Sequence, residues 1–286
     1  MNHIKKYKII SLTLLLIALL SLILWIIWGN TALQKTTYPL TSSRIPSSFD
    51  GFRIAHISDL HNTDLGNGNE SLLSMIRESE PDMIAITGDM IDSRRTNLDI
   101  ALQFAEEALK IAPCYYVPGN HESRISEYAT FRDKLMELGV VVLENQCIEL
   151  TYLDGAMHLI GISDPSFLHG ASDPVSYVEK ELGQLIPWWD AYTIVLSHRP
   201  ELFDVYVRKN ADLVLSGHTH GGQFRLPFIG GLVAPHQGIF PKYDAGLFTE
   251  GQTNMIISRG IGNSSFPFRF NNRPELIVIE LKRSSV

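Results

Sequence analysis

Five short β-rich runs in this chain each end in a block of polar residues, and this pattern constrains the fold more than any other feature. The runs cover residues 53–58, 83–87, 114–117, 193–196 and 213–215, and amphipathic stretches predicted as helices lie between most of them. An alternation of strands and helices is typical of an α/β layer fold. Because open α/β sheets place their binding crevice at the carboxyl ends of the strands, we expect these polar blocks to meet in one site.

The polar blocks consist of residue types that bind divalent cations. In chain order they are Asp59-Leu60-His61, Gly88-Asp89 with Asp92, Gly119-Asn120-His121-Glu122, Ser197-His198, and Gly217-His218-Thr219-His220. Taken singly, each block has a structural explanation, such as a turn or a helix cap. Taken together, they hold five of the ten histidines in the chain, which favours a shared chemical role.

The ligand types predict a site for two metal ions. Imidazole and carboxylate without thiolate suit Zn²⁺, Mn²⁺ or Fe²⁺. A single catalytic zinc takes about three protein ligands, whereas the larger set here fits two ions about 3.5–4 Å apart, as used for in-line displacement at phosphorus. Asp89 is central in chain order, so it is the natural bridging carboxylate, and a metal-bridging hydroxide is the expected nucleophile. The sequence contains neither a P-loop nor a serine nucleophile elbow.

The order of the blocks resembles that of the calcineurin-like metallophosphoesterases, and the resemblance covers residues 48–283. Four further stretches resemble the membrane-associated YkuE/YaeI-like branch of that family: Gly221-Gly222-Gln223, Ala234-Pro235, residues 238–243 and Ser258-Arg259-Gly260. The resemblance implies an α/β domain over residues 48–286, built as a four-layer αββα sandwich of two mixed sheets. It also implies a phosphodiesterase-like, metal-dependent phosphoric ester hydrolase with two divalent ions per chain.

The same resemblance implies a role for each residue of the blocks. The first metal would be held by Asp59, His61 and His220, with Asp89 bridging, and the second by Asn120, His198 and His218. His121 would contact the substrate phosphate and protonate the leaving oxygen, while Asp92 and Glu122 would orient the ligands. Arg225, Lys242 and Arg259 are candidates for binding substrate phosphate, although each is equally well explained as a solvated surface cation.

An apolar run over residues 9–28 precedes the domain and predicts a transmembrane signal anchor, because a helix of that length spans a bilayer of about 30 Å. Lys5, Lys6 and Lys8 precede the run, so residues 1–8 are expected in the cytoplasm and the catalytic domain outside it. A cleaved secretory signal is the alternative, but its apolar region is usually about 7–15 residues. Residues 29–47 are predicted to be a tether or a leading extended segment.

Charge narrows the range of partners. The chain has a net charge of −7, and its first 35 residues hold four lysines and no acidic residue, so the rest is more acidic still. Such a body lacks the basic surface of a nucleic-acid-binding protein. We therefore expect a single-pass protein of the cell membrane that hydrolyses a membrane-proximal phosphodiester or phosphomonoester.

Three other functions are compatible with parts of the sequence. A pyrophosphatase acting on a UDP-linked acylated sugar or another lipid-linked phosphate fits the family, although the sugar substrate is cytoplasmic in the known pathway. A catalytically silent binding scaffold fits the fold, but such a module should have lost ligands, and this chain keeps them. A metallo-hydrolase of amide bonds fits the ligand types but not the Gly-Asn-His block.

Two smaller features remain open at this stage. Cys114 and Cys147 lie in apolar, strand-like runs, so two buried free thiols are expected, with a disulfide as the alternative. The adjacent Trp188 and Trp189 fit either helix packing or contact with the membrane surface.

Overall fold

The computed structural model describes residues 2–186, 191–263 and 266–284, so Trp188 and Trp189 lie outside the described residues. Within these ranges the α-helices are α1 (Asn2–Thr31), α2 (Glu70–Arg77), α3 (Leu98–Leu109), α4 (Tyr128–Leu138), α5 (Pro174–Leu185) and α6 (Phe203–Arg208). The strands are β1 (Gln34–Ser42), β2 (Arg53–Ile57), β3 (Met83–Thr87), β4 (Cys114–Val117), β5 (Val141–Val142), β6 (Gln146–Tyr152), β7 (Gly155–Ile162), β8 (Thr193–Ser197), β9 (Leu213–Ser216), β10 (Arg225–Leu226), β11 (Gly230–Gly231), β12 (Val233–Ala234), β13 (Gly238–Ile239), β14 (Gly246–Glu250), β15 (Thr253–Ile257) and β16 (Glu275–Arg283).

The strands form two mixed sheets of six strands each within the described ranges. The first has the order β1-β16-β2-β3-β4-β5 and the second the order β14-β15-β9-β8-β7-β6. Strands β2 to β5 run parallel to one another, and so do β7, β8, β9 and β15. Two short hairpins, β10–β11 and β12–β13, follow β9 and extend from the sheets.

Three apolar layers hold the sandwich together. Buried residues of both sheets, among them Ile54, Leu196 and Ile277, fill the space between the sheets. Helices α2, α3 and α4 cover the outer face of the first sheet, and α5 and α6 cover that of the second. Each fully buried Leu, Ile or Phe side chain contributes about 1.5–3 kcal/mol. The predicted four-layer αββα fold is confirmed.

The N-terminal helix is longer than the predicted span of residues 9–28. Helix α1 runs from Asn2 to Thr31, and residues Lys5–Thr31 are long and apolar enough to cross a membrane. Because the helix continues past Trp28, its last turn belongs to the region predicted as a tether.

The segment predicted as a tether or a leading extended segment contains the first strand of the sheet. Residues 34–42 form β1, which pairs in parallel with residues 275–283 of β16. Exposure alternates along β1, as expected for an edge strand with one face on the core, and the edge position tolerates Pro39. The segment is rich in Ser, Thr and Pro, a composition typical of a linker. It forms a strand because it pairs with β16, which is distant in the sequence. The described sheet therefore begins before residue 48.

The end of α1 is fastened to the segment that leads into β16. The Asn30 side chain accepts a hydrogen bond from the Arg269 backbone N–H at 2.7 Å and donates one to the Arg269 carbonyl oxygen at 3.0 Å. The Arg273 guanidinium donates to the carbonyl oxygens of Ala32 and Leu33 and lies 4.7 Å from the centroid of the Trp28 ring. The helix and the domain are therefore held in a defined relation.

Candidate metal centre

The predicted ligands follow the carboxyl ends of β2, β3, β4, β8 and β9, and these ends meet at one end of the sandwich. One bond joins the two sheets there: Nδ1–H of His198, after β8, donates to the carbonyl oxygen of Thr87 in β3 at 2.7 Å. The loops after β2 and β3 are joined by the hydrogen bond from the His61 N–H to the Asp89 carbonyl oxygen, at 3.0 Å. The backbone thus brings residues from distant parts of the chain into one cluster.

The backbone of this cluster is strained. Left-handed φ angles, between 46° and 72°, occur at Asp59, His61, Asp89, His218 and His220. Each such angle in a residue other than glycine costs on the order of 1–3 kcal/mol and persists only where the surroundings enforce it. Strain at so many predicted ligands indicates a functional site rather than a set of ordinary turns.

The first group of ligand atoms comprises Asp59, His61 and His220, and all three residues are buried. Nε2 of His220 lies 3.1 Å from Nε2 of His61 and 3.3 Å from Oδ1 of Asp59. Their ligand atoms lie within 4.8 Å of one another, which is the spacing expected around one cation.

The second group comprises Asp89, His198 and His218. Nε2 of His198 lies 3.1 Å from Oδ2 of Asp89 and 3.2 Å from Nδ1 of His218. Oδ2 of Asp89 also lies 3.6 Å from Nε2 of His61, so this oxygen stands between the two groups. Asn120 is buried beside them, and its Oδ1 has no hydrogen-bond partner among the described residues.

These donors fit two divalent cations. The nitrogen atoms face one another at hydrogen-bond distance, a buried amide oxygen has no partner, and one carboxylate oxygen contacts both groups. Because His198 uses Nδ1–H for the Thr87 carbonyl, its Nε2 carries the lone pair that a metal requires. The residues predicted as ligands are therefore brought together, with Asp89 in the central position expected of a bridge.

The electrostatics of the cluster favour ionised carboxylates. Burial raises the pKa of Asp89, but the neighbouring His198, His121 and His61 outweigh burial, and the net pKa is lowered. For His198, burial lowers the pKa while Asp89 and Asp59 raise it, to about 10. Burial lowers the pKa of His220 to about 3. The negative charge of Asp89 and Asp59, which favours the protonated form of His198, would also favour a cation bound in place of that proton.

Two glycines of the blocks make room for the carboxylates. A Cβ atom on Gly119 would collide with Oδ1 of Asp89, and one on Gly217 would collide with Oδ2 of Asp59. The backbone N–H of His218 approaches Asp59 closely and donates to Oδ2 at 3.0 Å. The glycines in the Gly-Asn-His and Gly-His blocks are thus required by close packing around the ligands.

The Glu122 carboxylate accepts hydrogen bonds from backbone N–H groups of the loops that carry the predicted ligands. Its Oε2 accepts the N–H groups of Asp89 at 2.9 Å and Gly119 at 2.8 Å, and its Oε1 accepts that of Ile91 at 3.1 Å. Burial, followed by the Asp89 charge, raises the pKa of Glu122 to about 7. Glu122 therefore contacts the backbone of Asp89 rather than a ligand side chain, and its role in orienting the ligands stays a prediction.

His121 lies at the edge of the cluster, with its ring centroid 4.5 Å from that of His61. Its Nδ1 accepts the backbone N–H of Ser93 at 3.1 Å and lies 3.5 Å from Oδ1 of Asp92. An accepting Nδ1 places the proton of the neutral ring on Nε2. Burial lowers the pKa of His121 to about 4, because the raising effect of Asp89 is smaller. The neutral ring thus presents Nε2–H as a donor.

The cations predicted to bind phosphate are engaged elsewhere. Arg225 pairs with Asp244 at 2.9 Å, and Arg259 pairs with Glu275 at 2.7 Å. Lys242 is exposed and lies over the Tyr243 ring, 4.6 Å from its centroid. The structure therefore brings none of these three side chains into contact with the described ligand groups, and their substrate role stays a prediction.

Three residues beside the site were missed by sequence reasoning. The His236 ring stacks on that of His218 at 5.4 Å, and Glu201 approaches the same histidines, with its buried Oε2 lacking a hydrogen-bond partner in the described part of the chain. Ser93 holds His121. Ser93 directly follows Asp92 and Glu201 closely follows His198, so both had a positional signal; His236 precedes the stretch 238–243, but it matches no ligand block.

A cleft of about 570 Å³ opens beside the first group of ligands. It is lined by His61, Asp92, Arg94 and Arg95 and, on its other side, by Asn263 and Pro267. Arg94 pairs with Asp92 at 3.0 Å, and the exposed Arg95 adds positive charge to this side of the site.

Comparison with known proteins agrees with this geometry. The family model described as calcineurin-like phosphoesterase matches residues 52–222. The chain is 31% identical to the uncharacterized metallophosphoesterase YkuE of Bacillus subtilis, over 88% of this chain and 87% of YkuE. It is 30% identical to the phosphodiesterase YaeI of Escherichia coli, over 80% of this chain and 82% of YaeI.

The chain is also similar to a membrane protein in sequence and to a solved structure in fold. The chain is 29% identical to a bovine (Bos taurus) transmembrane protein with metallophosphoesterase domain, over 86% of this chain and 56% of that protein. Its fold is similar to TT1561 of Thermus thermophilus, with a TM-score of 0.52 and 16% identity, over 73% of this chain and 90% of that one. The chain therefore belongs to the calcineurin-like phosphoesterase family, whose members are metal-dependent phosphoester hydrolases.

Proposed function

We propose that this chain is a membrane-anchored two-metal phosphoesterase that hydrolyses a phosphodiester or phosphomonoester outside the cytoplasm. The observation that carries the proposal is the sharing of Asp89 between two groups of ligands, since its Oδ2 lies 3.1 Å from His198 and 3.6 Å from His61. A site for one cation would leave half of these buried donors without a function.

Two groups of residues would hold the two cations. Asp59, His61 and His220 would hold one cation, Asn120, His198 and His218 would hold the other, and Asp89 would serve both. When bound, two divalent cations supply Lewis-acid activation of water and of the phosphoryl oxygens. Mn²⁺, Zn²⁺ and Fe²⁺ suit this set of imidazole and carboxylate donors. Glu122 and the Ser93–His121 contact keep the surrounding loops in place.

His121 supplies a hydrogen bond to the substrate in this proposal. Ser93 holds Nδ1 as an acceptor, so Nε2–H is free to donate to a phosphoryl oxygen or to the leaving oxygen. A preorganised donor of this kind stabilises charge that develops in the transition state.

Membrane anchoring is supported by α1, whose residues Lys5–Thr31 are long and apolar enough to span a bilayer, and by the similarity to a transmembrane protein. The lysines at positions 5, 6 and 8 favour a cytoplasmic N-terminus. The domain would then lie outside, and its substrate would be close to the membrane. Protease treatment of intact cells tests this topology: digestion of the domain is expected, and its protection would contradict it.

Hydrolysis of bis(p-nitrophenyl) phosphate by the purified full-length chain in detergent tests the activity. We expect turnover with added Mn²⁺, loss of turnover with EDTA and recovery when Mn²⁺ is restored. Metal analysis should give two ions per chain. Turnover that survives EDTA, or one ion per chain at saturation, would contradict the two-metal proposal.

A further inference from the structure

We propose that an apolar loop surface beside the metal cleft docks into the lipid interface of the bilayer that α1 spans, so that the cleft faces the lipid headgroups. The proposal rests on the membrane anchoring proposed above. We define the apolar loop surface by its exposed residues: Phe228, Ile229, Ile239, Phe240, Phe266 and Phe268.

The contact at the end of α1 sets how far one part of this surface lies from the hydrocarbon core of the bilayer. Trp28 marks the end of the apolar run, and Asn30 lies about 3 Å further along the helix axis. The Asn30 side chain bonds the backbone of Arg269 at 2.7 and 3.0 Å, and Phe268 is the preceding residue. Because the interfacial zone is roughly 5–8 Å thick on each side of the hydrocarbon core, the segment before Arg269 lies within it when α1 spans the membrane.

Aromatic residues connect that segment to the first hairpin. The Phe224 ring lies 5.4 Å from those of both Phe266 and Phe268, and the Arg225 N–H donates to the Phe270 carbonyl oxygen. Phe266 and Phe268 are 48% and 39% exposed. The β10–β11 hairpin therefore starts from the part of the domain that touches the anchor.

Both hairpins present apolar side chains to solvent. Phe228 is fully exposed and Ile229 is 61% exposed in the turn of the first hairpin, while Ile239, at the end of β13, and Phe240, which follows it, are 69% and 59% exposed. Phe228 and Phe240 also have left-handed φ angles of 67° and 55°. These four side chains thus add to an exposed apolar surface among the described residues.

A lipid surface fits this arrangement better than a protein partner. Aromatic side chains favour the interface between headgroups and acyl chains, and Lys242, exposed and next to the second hairpin, suits anionic headgroups. The cleft at His61 is also lined by Asn263 and Pro267, from the same segment as Phe266 and Phe268. A phosphoester headgroup would thus reach the ligand groups while its acyl chains stay in the bilayer.

Fluorescence quenching tests the docking directly. The full-length chain with Cys147→Ser and Phe228→Cys, labelled with an environment-sensitive fluorophore, is placed in vesicles of phosphatidylglycerol and phosphatidylcholine. Leu153→Cys is the matched control, since Leu153 is 82% exposed in the turn before β7, at the opposite end of the sheets. We expect nitroxide-labelled lipids to quench position 228 at least twofold more than position 153, and aqueous iodide to show the reverse.

Either of two results would overturn the proposal. Equal iodide quenching at both positions would mean that the surface stays in water. Protection of position 228 from iodide without quenching by lipid nitroxides would mean that a second copy of the chain or another protein covers it.

Activity on two substrates separates docking from catalysis. The double variant Phe228→Ser and Ile229→Ser should hydrolyse bis(p-nitrophenyl) phosphate at the parent rate but a vesicle-bound phospholipid with a p-nitrophenol headgroup about tenfold more slowly, an effect of roughly 1.4 kcal/mol. A similar fall on both substrates would contradict the docking role. If the parent chain hydrolyses neither substrate, the phosphoesterase proposal fails, while the quenching result still decides whether the surface docks.

Discussion

The backbone N–H of Asp89 donates a hydrogen bond of 2.9 Å to Oε2 of Glu122. The same oxygen accepts the Gly119 N–H, and the other carboxylate oxygen accepts the Ile91 N–H. One buried side chain thus joins the loop after β3 to the loop after β4, and it sets the position of the residue that contacts both ligand groups.

Glu122→Gln should weaken this junction. The amide NH₂ of Gln would face a backbone N–H in either orientation, so we expect a loss of about 1–3 kcal/mol in the free energy of unfolding. Urea denaturation of the metal-free chain measures it, and a Mn²⁺ titration should show weaker binding. Glu149→Gln, at an exposed position of β6, is the control. Equal stability of the two variants would show that the three amide contacts are unimportant.

Asp89→Asn should abolish metal binding and activity together. The amide lacks the negative charge that two cations would share, and its oxygen lies between both ligand groups. Metal analysis and hydrolysis of bis(p-nitrophenyl) phosphate measure the two effects on one preparation. The exposed Asp133→Asn should behave as the parent chain. Retained activity in Asp89→Asn would refute the bridging assignment.

His121→Ala should keep both metal ions but lose turnover by about 10²–10⁴-fold, the usual contribution of a positioned proton donor. His121 is not among the proposed metal ligands, so the metal content separates a catalytic effect from damage to the site. His169→Ala, in an exposed loop, is the control. Turnover within about twofold of the parent chain would remove His121 from the mechanism.

The buried pair of Arg199 and Asp164 predicts a pH-dependent contribution to stability. Burial raises the pKa of Asp164, but the bonds from Arg199 outweigh it and lower the pKa overall. The folded pKa is therefore below the unfolded value of about 3.9, so the pair stabilises the fold above pH of about 4 and less as the pH falls through the folded pKa. Asp164→Asn should cost up to about 3–5 kcal/mol near neutral pH, because it leaves the buried Arg199 with Glu201, at 3.2 Å, as its remaining counter-charge.

Urea denaturation of the parent chain and Asp164→Asn across this pH range tests that prediction. The difference in stability should narrow below pH of about 4. A constant difference at every pH would mean that packing, rather than the charge pair, explains the loss.

Thiol titration tests the state of the cysteines. Both are free in the structure, and Cys114 is fully buried; burial raises the pKa of its thiol to about 12. The native chain should therefore react slowly and only through Cys147, which is partly buried, and denaturation without reductant should release two reactive thiols. No thiol released under those conditions would indicate a disulfide.

The metal cluster was predictable from the sequence because each ligand block directly follows a buried strand. The end of a strand fixes where the next few residues lie, so Asp59, Asp89 and His218 could each be placed at the carboxyl end of a strand from local patterns alone. The same alternation of strands and helices predicted an α/β layer fold, whereas the arrangement in two packed sheets was implied by the family resemblance.

What the sequence did not reveal depends on partners far along the chain. Strand β1 has the local composition of a linker, and it is a strand only because β16 pairs with it. From the sequence, Arg259 was a candidate for binding substrate phosphate, but in the structure its guanidinium pairs with Glu275. His236 stacks on His218 through a hairpin whose course no periodic pattern specifies.

The placement of β16 sets the order in which this protein can be built. Residues 275–283 lie between β1 and β2 in the first sheet, so β1 has no neighbour in the described sheet until those residues have been synthesised. The first sheet therefore cannot be completed before residue 283 has left the ribosome. If α1 is in the bilayer and the domain lies outside the cytoplasm, as proposed, the residues between β1 and β16 would cross the membrane before the sheet is closed.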